Sequence, residues 1–206
     1  GGVIFGENGI ASGARKGSVL VDFSSIAPDA TRAMAKRLED ETGMVWIDAP
    51  VSGGVPGAEQ GTLAIMAGGP EETFERVKPV VLEMASRFTL MGPSGAGQTT
   101  KLCNQVIVGC TMAVLAEATR LATNAGVDAE RLPEALAGGF ADSEPLQLFV
   151  PRMAKAIHDP PLGHAYTMLK DLDSVRALAQ SVASPVPFTS LAAEQFRLLT
   201  SRGGDE

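Results

Sequence analysis

The chain has 206 residues, enough to bury a core in one domain or two small ones, and its 45% hydrophobic and 20% charged content is that of a globular protein. A formal net charge of −7 excludes nucleic-acid binding through a broad basic face, but leaves room for a local basic pocket that takes an anionic metabolite. The two cysteines, Cys103 and Cys110, lie seven positions apart in a helical stretch. That spacing is two helical turns, about 10 Å of rise, too far for a disulfide, so two buried free thiols in a reducing compartment are expected. The only histidines, His158 and His164, lie in a proline-containing stretch away from the cysteines, and no metal site is expected.

In chain order, Gly1–Ile10 lacks the basic start of a secretory signal. Val19–Phe23 is a short apolar run that predicts a buried strand. Ser24-Ser25 and Pro28-Asp29 then open a helix that runs to about Glu41 and stops at Gly43. Met44–Ile47 predicts a second strand, ending in Asp48-Ala49-Pro50, and Ser52–Gly57 a glycine-rich loop. Leu63–Ala67 predicts a third strand, Glu71–Ala85 an amphipathic helix with acids in its first turn, and Arg87–Met91 a fourth strand. This alternation argues for an α/β layer. From Gly97 on, the signals are helical only. A long helix to about Asn124, closed by Gly126, is apolar on almost every side from Val106 to Leu115, so it is either buried all round or shared with a partner subunit. Further helices are expected at Ala129–Ala137, Pro145–Ala156, Leu169–Ser184 and Thr189–Thr200. The longest apolar stretch, Val106–Ala116, is short of the roughly 20 residues that span a bilayer, so a soluble, cytoplasmic protein is expected.

Four places carry candidate chemistry. Asp48–Gly54 follows a strand's C-terminal end, where open α/β sheets bind ligands. Its glycines admit close approach of backbone N–H groups to an anion, and Ser52 adds a hydroxyl; a tight turn explains the same residues equally well. Gly95-Ala-Gly97-Gln-Thr-Thr-Lys101-Leu-Cys-Asn104-Gln105 puts Lys101 and Asn104 on one helical face. A buried or cation-flanked lysine there is a usable acid/base, whereas an exposed one simply reaches to water. Lys170-Asp171 reads alternatively as a site edge or as a solvated helix start. Ser25 either meets a ligand or caps the next helix.

Taken together and in this order, these residues resemble the β-hydroxyacid dehydrogenase family. The likeness runs from Phe5-Gly-Glu-Asn-Gly9 to about Leu199. Asp48–Gly54 is similar to the family's substrate-binding signature and Gly95–Asn104 to its catalytic G-x-G-x-x-x-K-x-x-N. Val21–Ile26 and Leu169–Leu172 carry two further motifs. The resemblance implies an α/β domain followed by an all-helical one: a partial Rossmann-like, doubly wound sheet over 1–93, then a substrate and dimerisation domain over 94–206. It implies an NAD- or NADP-dependent oxidoreductase acting on a small carboxylate-bearing semialdehyde or 3-hydroxy acid. Lys101 is then the catalytic acid/base and Asn104 its partner. Ser52, Gly53 and Gly54 hold the substrate carboxylate, Asp171 lines the same site, and Ser25 and Lys170 contact the cofactor. A homo-oligomer without nucleic acid or membrane is implied. The stretch Gly138–Ser143 is closer to the branch that reduces tartronate semialdehyde (2-hydroxy-3-oxopropionate) than to the 3-hydroxyisobutyrate branch.

Two features depart from the family. No strand-preceded G-x-G-x-x-G pyrophosphate turn is present, although Gly6–Gly13 is glycine-rich. The likeness also begins partway through the family's first domain, so this chain is expected to be incomplete for cofactor binding. A catalytically inactive helical dimerisation module is the alternative. Where relatives carry an aromatic residue before L-K-D, this chain has Gly163, and Tyr166 is the nearest aromatic.

Overall fold

The computed structural model describes residues 2–204. It divides into two compact units, residues 1–101 and 102–206. The first contains α1 (Gly2–Phe5), β1 (Val19–Asp22), α2 (Pro28–Thr42), β2 (Val45–Asp48), β3 (Val51–Ser52), α3 (Gly54–Glu59), β4 (Leu63–Gly68), α4 (Glu71–Val81), β5 (Ala85–Gly92) and the start of α5 (Ala96–Asn124). Helix α2 starts at a proline, whose missing N–H costs nothing there. It stops at Gly43 (φ 70°), which donates its N–H to the Glu39 carbonyl at 2.8 Å.

β1 and β2 are covered on both faces, which explains their near-continuous apolar sequence, whereas β5 exposes Arg87, Thr89 and Met91. On one face Leu20 and Trp46 pack with Met34, Ala35 and Leu38 of α2. On the other, Val19, Val21, Ile47 and Ile65 pack with Phe74, Val77 and Val81 of α4. Trp46 and Ile47 are neighbours on β2 and enter opposite cores, as strand alternation requires. This is the doubly wound α/β arrangement expected from the sequence.

The strands are not all parallel. β1 pairs with β2, and β4 with β5, in parallel, but β4 runs antiparallel to both β2 and β3. Asp48 lies opposite Gly68, Val51 opposite Ile65 and Ser52 opposite Ala64, which is one continuous register. The ladder is broken only around Pro50, which has no N–H to give, although its carbonyl still accepts from Met66 at 3.1 Å. The expected loop at Ser52–Gly57 is therefore corrected: Val51-Ser52 continues the strand, and the short helix α3 turns the chain back. Helix α4 stops at Val81, short of the expected Ala85, because Ala85 already pairs with Leu63 in the sheet.

The second unit is all helical: the rest of α5, α6 (Leu132–Leu136), α7 (Glu144–Ala154), α8 (Ala165–Ser181) and α9 (Pro187–Ser201). Helix α5 ends as expected, with Gly126 in the left-handed region and Val127 donating to the Ala122 carbonyl at 2.9 Å. Within this unit Cys110 and Ala113 pack on Leu169, Leu172, Ala192 and Ala193. Leu115 packs on Leu146 and Val150. At Gly109 a Cβ would come within 2.8 Å of the Leu172 side chain, so glycine lets α8 approach α5 closely.

Two expectations about α5 change. Cys103 is exposed and Cys110 half-buried, so Cys103 is not a core thiol; both are free. Leu102, one position earlier, takes the buried place. The helix is also not buried all round, since Ile107, Val114 and Leu121 are exposed. Their seven-residue spacing makes them one stripe. The whole helix, unlike Val106–Ala116 alone, is long and apolar enough by length and composition to cross a bilayer. Away from that stripe, Cys110, Ala113 and Leu115 pack on the helices of their own unit.

Candidate active site

Asp48 organises the first unit's site. It is fully buried at the C-terminal end of β2. One carboxylate oxygen accepts the Gly95 N–H at 2.8 Å and the other the Gln98 N–H at 2.9 Å. The first turn of a helix has N–H groups without intrahelical partners, and here a strand carboxylate supplies acceptors for two of them. Burial pushes the Asp48 carboxyl above the usual carboxylate range, and the N–H bonds from Gly95 and Gln98 pull against it.

The two glycines of the Gly95-Ala-Gly97 motif have separate reasons. Gly95 has φ 86°, a left-handed backbone. At Gly97 a Cβ would stand 2.5 Å from the Met66 carbonyl oxygen and 2.7 Å from that of Asp48. At Gly68, a Cβ would stand 2.6 Å from the Asp48 carboxylate and 2.8 Å from the Ala96 nitrogen. The start of α5 thus lies directly on the backbone of β2 and β4, and only glycine fits at the two contact points. The motif brings a helix down onto a sheet; its orphan N–H groups are committed to Asp48 and are not an open phosphate cradle.

Gln98 ties in a third segment. Its side chain is 1% exposed, its Oε1 accepts the Ile26 N–H at 3.2 Å, and its Nε2 donates to the Ser24 carbonyl at 2.8 Å. Ser25 lies between these two anchored residues and is exposed, at the C-terminal edge of the parallel pair β1–β2. Lys101, half-buried, comes three residues after Gln98 on the same helical face. Ser52 is four residues beyond Asp48 in one continuous ladder, so alternation puts both on the sheet face where α5 begins. Gly53 (φ 126°) and Gly54 (φ 60°) follow, exposed, in backbone conformations that side chains disfavour. The first unit therefore ties the Ser25 segment to the helical turn that carries Lys101, and places Ser52 on the sheet face where α5 begins.

The second unit gathers the rest. Asn104 Nδ2 donates to Gln105 Oε1 at 2.9 Å, and Gln105 Nε2 donates to Asp171 Oδ2 at 2.7 Å. The other Asp171 oxygen pairs with Lys170 Nζ at 3.1 Å. Asp171 is 9% exposed and lies one and a half turns into α8, so it is no solvated helix start. Lys170 is half-exposed on an open cleft of ≈ 510 Å³ between α8 and α9, which Tyr166, Asp173 and Arg197 also line. Among the described residues no cluster of three or more His, Cys, Asp or Glu side chains is arranged to hold a metal.

Asp48, Gln98 and Gln105 lie within the candidate stretches of the sequence, but no role is assigned to them from the sequence. The signal was present. Gln98 and Gln105 are amides seven apart on one face of the helix, with Lys101 between them. Buried amides demand partners, and such a spacing marks a face that meets polar structure.

Comparison with known proteins places this geometry. Residues 1–92 match the family model of the NAD-binding domain of 6-phosphogluconate dehydrogenase. Residues 95–206 match that described as NAD-binding of NADP-dependent 3-hydroxyisobutyrate dehydrogenase. The chain is 41% identical to 2-hydroxy-3-oxopropionate reductase of Escherichia coli over 204 residues, covering 99% of this chain and 69% of that one. It is 35% identical over 200 residues to 3-hydroxyisobutyrate dehydrogenase of Pseudomonas aeruginosa, covering 94% of this chain and 66% of the relative. Among solved structures, 3-hydroxyisobutyrate dehydrogenase of Mycobacterium tuberculosis is 30% identical with a TM-score of 0.83, over 95% of this chain and 69% of that one. That of Salmonella typhimurium is 29% identical with a TM-score of 0.86, over 96% and 69%. An NAD(P)-using oxidoreductase with an α/β domain followed by a helical one is the class these matches define. The chain belongs to the β-hydroxyacid dehydrogenase family.

Proposed function

We propose that the protein interconverts a small carboxylate-bearing 3-hydroxy acid and its semialdehyde, with 2-hydroxy-3-oxopropionate as first substrate and 3-hydroxyisobutyrate as second. The ranking is supported by the 41% identity to the enzyme named for the former. Lys101 is the acid/base: as an ammonium it gives a proton to the carbonyl oxygen during reduction, and as an amine it takes that proton from the hydroxyl during oxidation. Its charge also stabilises the alkoxide that develops between. Asn104 orients the substrate or the lysine. The Ser52 hydroxyl and the N–H groups of Gly53 and Gly54 receive the carboxylate, and Asp171 lines the site. Ser25, with a hydroxyl, and Lys170, with an ammonium, are each proposed to contact the cofactor near its nicotinamide end. NAD(P) when bound supplies or accepts the hydride.

The observation that carries this reading is the shared sheet face. Asp48, bonded to the start of α5, and Ser52 belong to one strand ladder, so the proposed carboxylate cradle and the turn bearing Lys101 stand on the same side of the sheet. Steady-state assays of 2-hydroxy-3-oxopropionate with NADH and NADPH, and of 3-hydroxyisobutyrate with NAD and NADP, test it. Turnover of either, lost in Lys101→Ala, supports the proposal; no turnover of any carboxylate-bearing hydroxy acid or semialdehyde overturns it.

We also infer that residues 1–93 and 94–206 act as cofactor and substrate domains, and that the stripe Ile107, Val114 and Leu121 meets a second copy of the chain. Exposures of 68%, 61% and 71% on a single stripe support a covered surface. Sedimentation as a monomer at micromolar concentration overturns the second point.

A further inference from the structure

We propose that Gln98 is a positioning residue for the reaction, setting the lysine against the segment that carries the cofactor contact. The proposal rests on the acid/base reading of Lys101 and the cofactor reading of Ser25. Gln98 is neither a substrate group nor a cofactor group; what it touches is backbone. Its amide grips the residues on both sides of Ser25, accepting from Ile26 N–H at 3.2 Å and donating to the Ser24 carbonyl at 2.8 Å. Its own backbone N–H is fixed to Asp48 at 2.9 Å. One residue thereby links the ends of β1 and β2 to the helical turn that bears Lys101.

The arrangement has little freedom. Gln98 is 1% exposed, so water cannot replace a lost partner. Both halves of the amide are used, one as acceptor and one as donor, so neither a carboxylate nor an apolar side chain reproduces the pair. The helix start cannot slide to compensate, because Gly97 sits against the Met66 and Asp48 carbonyls, and Gly68 of β4 sits against the Ala96 and Gly97 nitrogens, with no room for a Cβ at either. Hydride transfer requires the carbonyl carbon, the nicotinamide and the proton donor in register, and a displacement of about 1 Å costs on the order of 10²-fold in rate. A side chain that ties the Ser25 segment to the Lys101 turn controls that register.

The test uses Gln98→Met, which keeps the volume and removes both hydrogen bonds, alone and combined with Lys101→Ala, in the protein as its gene encodes it. The readouts are kcat, the KM for cofactor and for hydroxy acid, and the melting temperature. The proposal expects kcat about 10²-fold lower in Gln98→Met and a raised cofactor KM as the Ser25 segment loosens. It expects a much smaller further loss of kcat when the substitution is added to Lys101→Ala, since no lysine remains to be positioned and only the Ser25 segment is left to hold. A lowered melting temperature with kcat within about threefold of the parent overturns it, and so does an equal drop in kcat in both backgrounds, the mark of general destabilisation. If Lys101→Ala itself turns over like the parent, the acid/base reading fails and this proposal with it; a dead lysine variant beside a fully active Gln98→Met defeats the positioning role alone.

Discussion

Gln105 donates a 2.7 Å hydrogen bond from its Nε2 to Asp171 Oδ2, joining α5 to α8 across 66 positions of sequence in a buried setting. Asp171 also holds Lys170, and Gln105 also holds Asn104, so one amide–carboxylate pair fixes two proposed site residues. Substituting Gln105→Leu leaves a buried carboxylate without its neutral donor. A loss of about 1–3 kcal/mol in unfolding free energy is expected from denaturant titration. Asp171→Asn keeps one acceptor oxygen and is expected to cost less than Gln105→Leu; the reverse order would mean that Gln105 is not the main partner.

Gly97→Ala tests the close approach of α5 to the sheet. The new methyl group would meet two carbonyl oxygens and the Asp48 carboxylate, all nearer than 3 Å; the carbonyls are backbone, and the carboxylate is pinned by the Gly95 and Gln98 N–H groups. An alanine in an open helix position stabilises. Here the expected result is a loss of about 1–3 kcal/mol or more, together with weakened protection from hydrogen exchange of the Gly95 and Gln98 amides.

Asp48 makes stability depend on pH with a definite sign. Burial holds its folded pKa above the ordinary carboxylate value. The folded state therefore binds the proton more tightly than the unfolded chain does. The contribution of this group to stability falls as pH rises through the folded pKa. It is complete below the unfolded pKa, about 3.9. Thermal melts of the parent and Asp48→Asn, compared from neutral pH downward, are expected to show the difference between them shifting in the parent's favour on acidification. A shift the other way would mean that the Gly95 and Gln98 N–H bonds outweigh burial.

Lys101→Ala is expected to lower turnover by about 10²–10⁴-fold while cofactor affinity stays within a small factor. Lys101→Arg is not expected to rescue, because a guanidinium does not release its proton near neutral pH. Retention of more than about a tenth of the parent turnover in Lys101→Ala would be too much for the acid/base of the reaction.

The sequence by itself determined the two-part architecture, most of the elements and the family. Those properties reside in local signals: apolar strand runs, caps such as Pro28 and Gly126, and motifs of fixed spacing such as Gly95 to Asn104. Single residues such as Ser25, Ser52 and Lys170 were legible as candidates for the same reason. Only the tertiary structure decided what Asp48, Gln98, Gln105 and the glycines Gly68 and Gly97 do. Their partners lie tens of positions away in the chain, in Gly95, Ser24, Ile26, Asp171 and the sheet backbone. It also decided that Val51-Ser52 is strand: Pro50 and the glycines after it read locally as a turn, whereas pairing with β4 overrides that preference at every position that can still hydrogen bond. Periodicity states which side of a helix is apolar. Which buried polar group each amide meets is set by the folding of distant segments onto one another, and no local pattern encodes that.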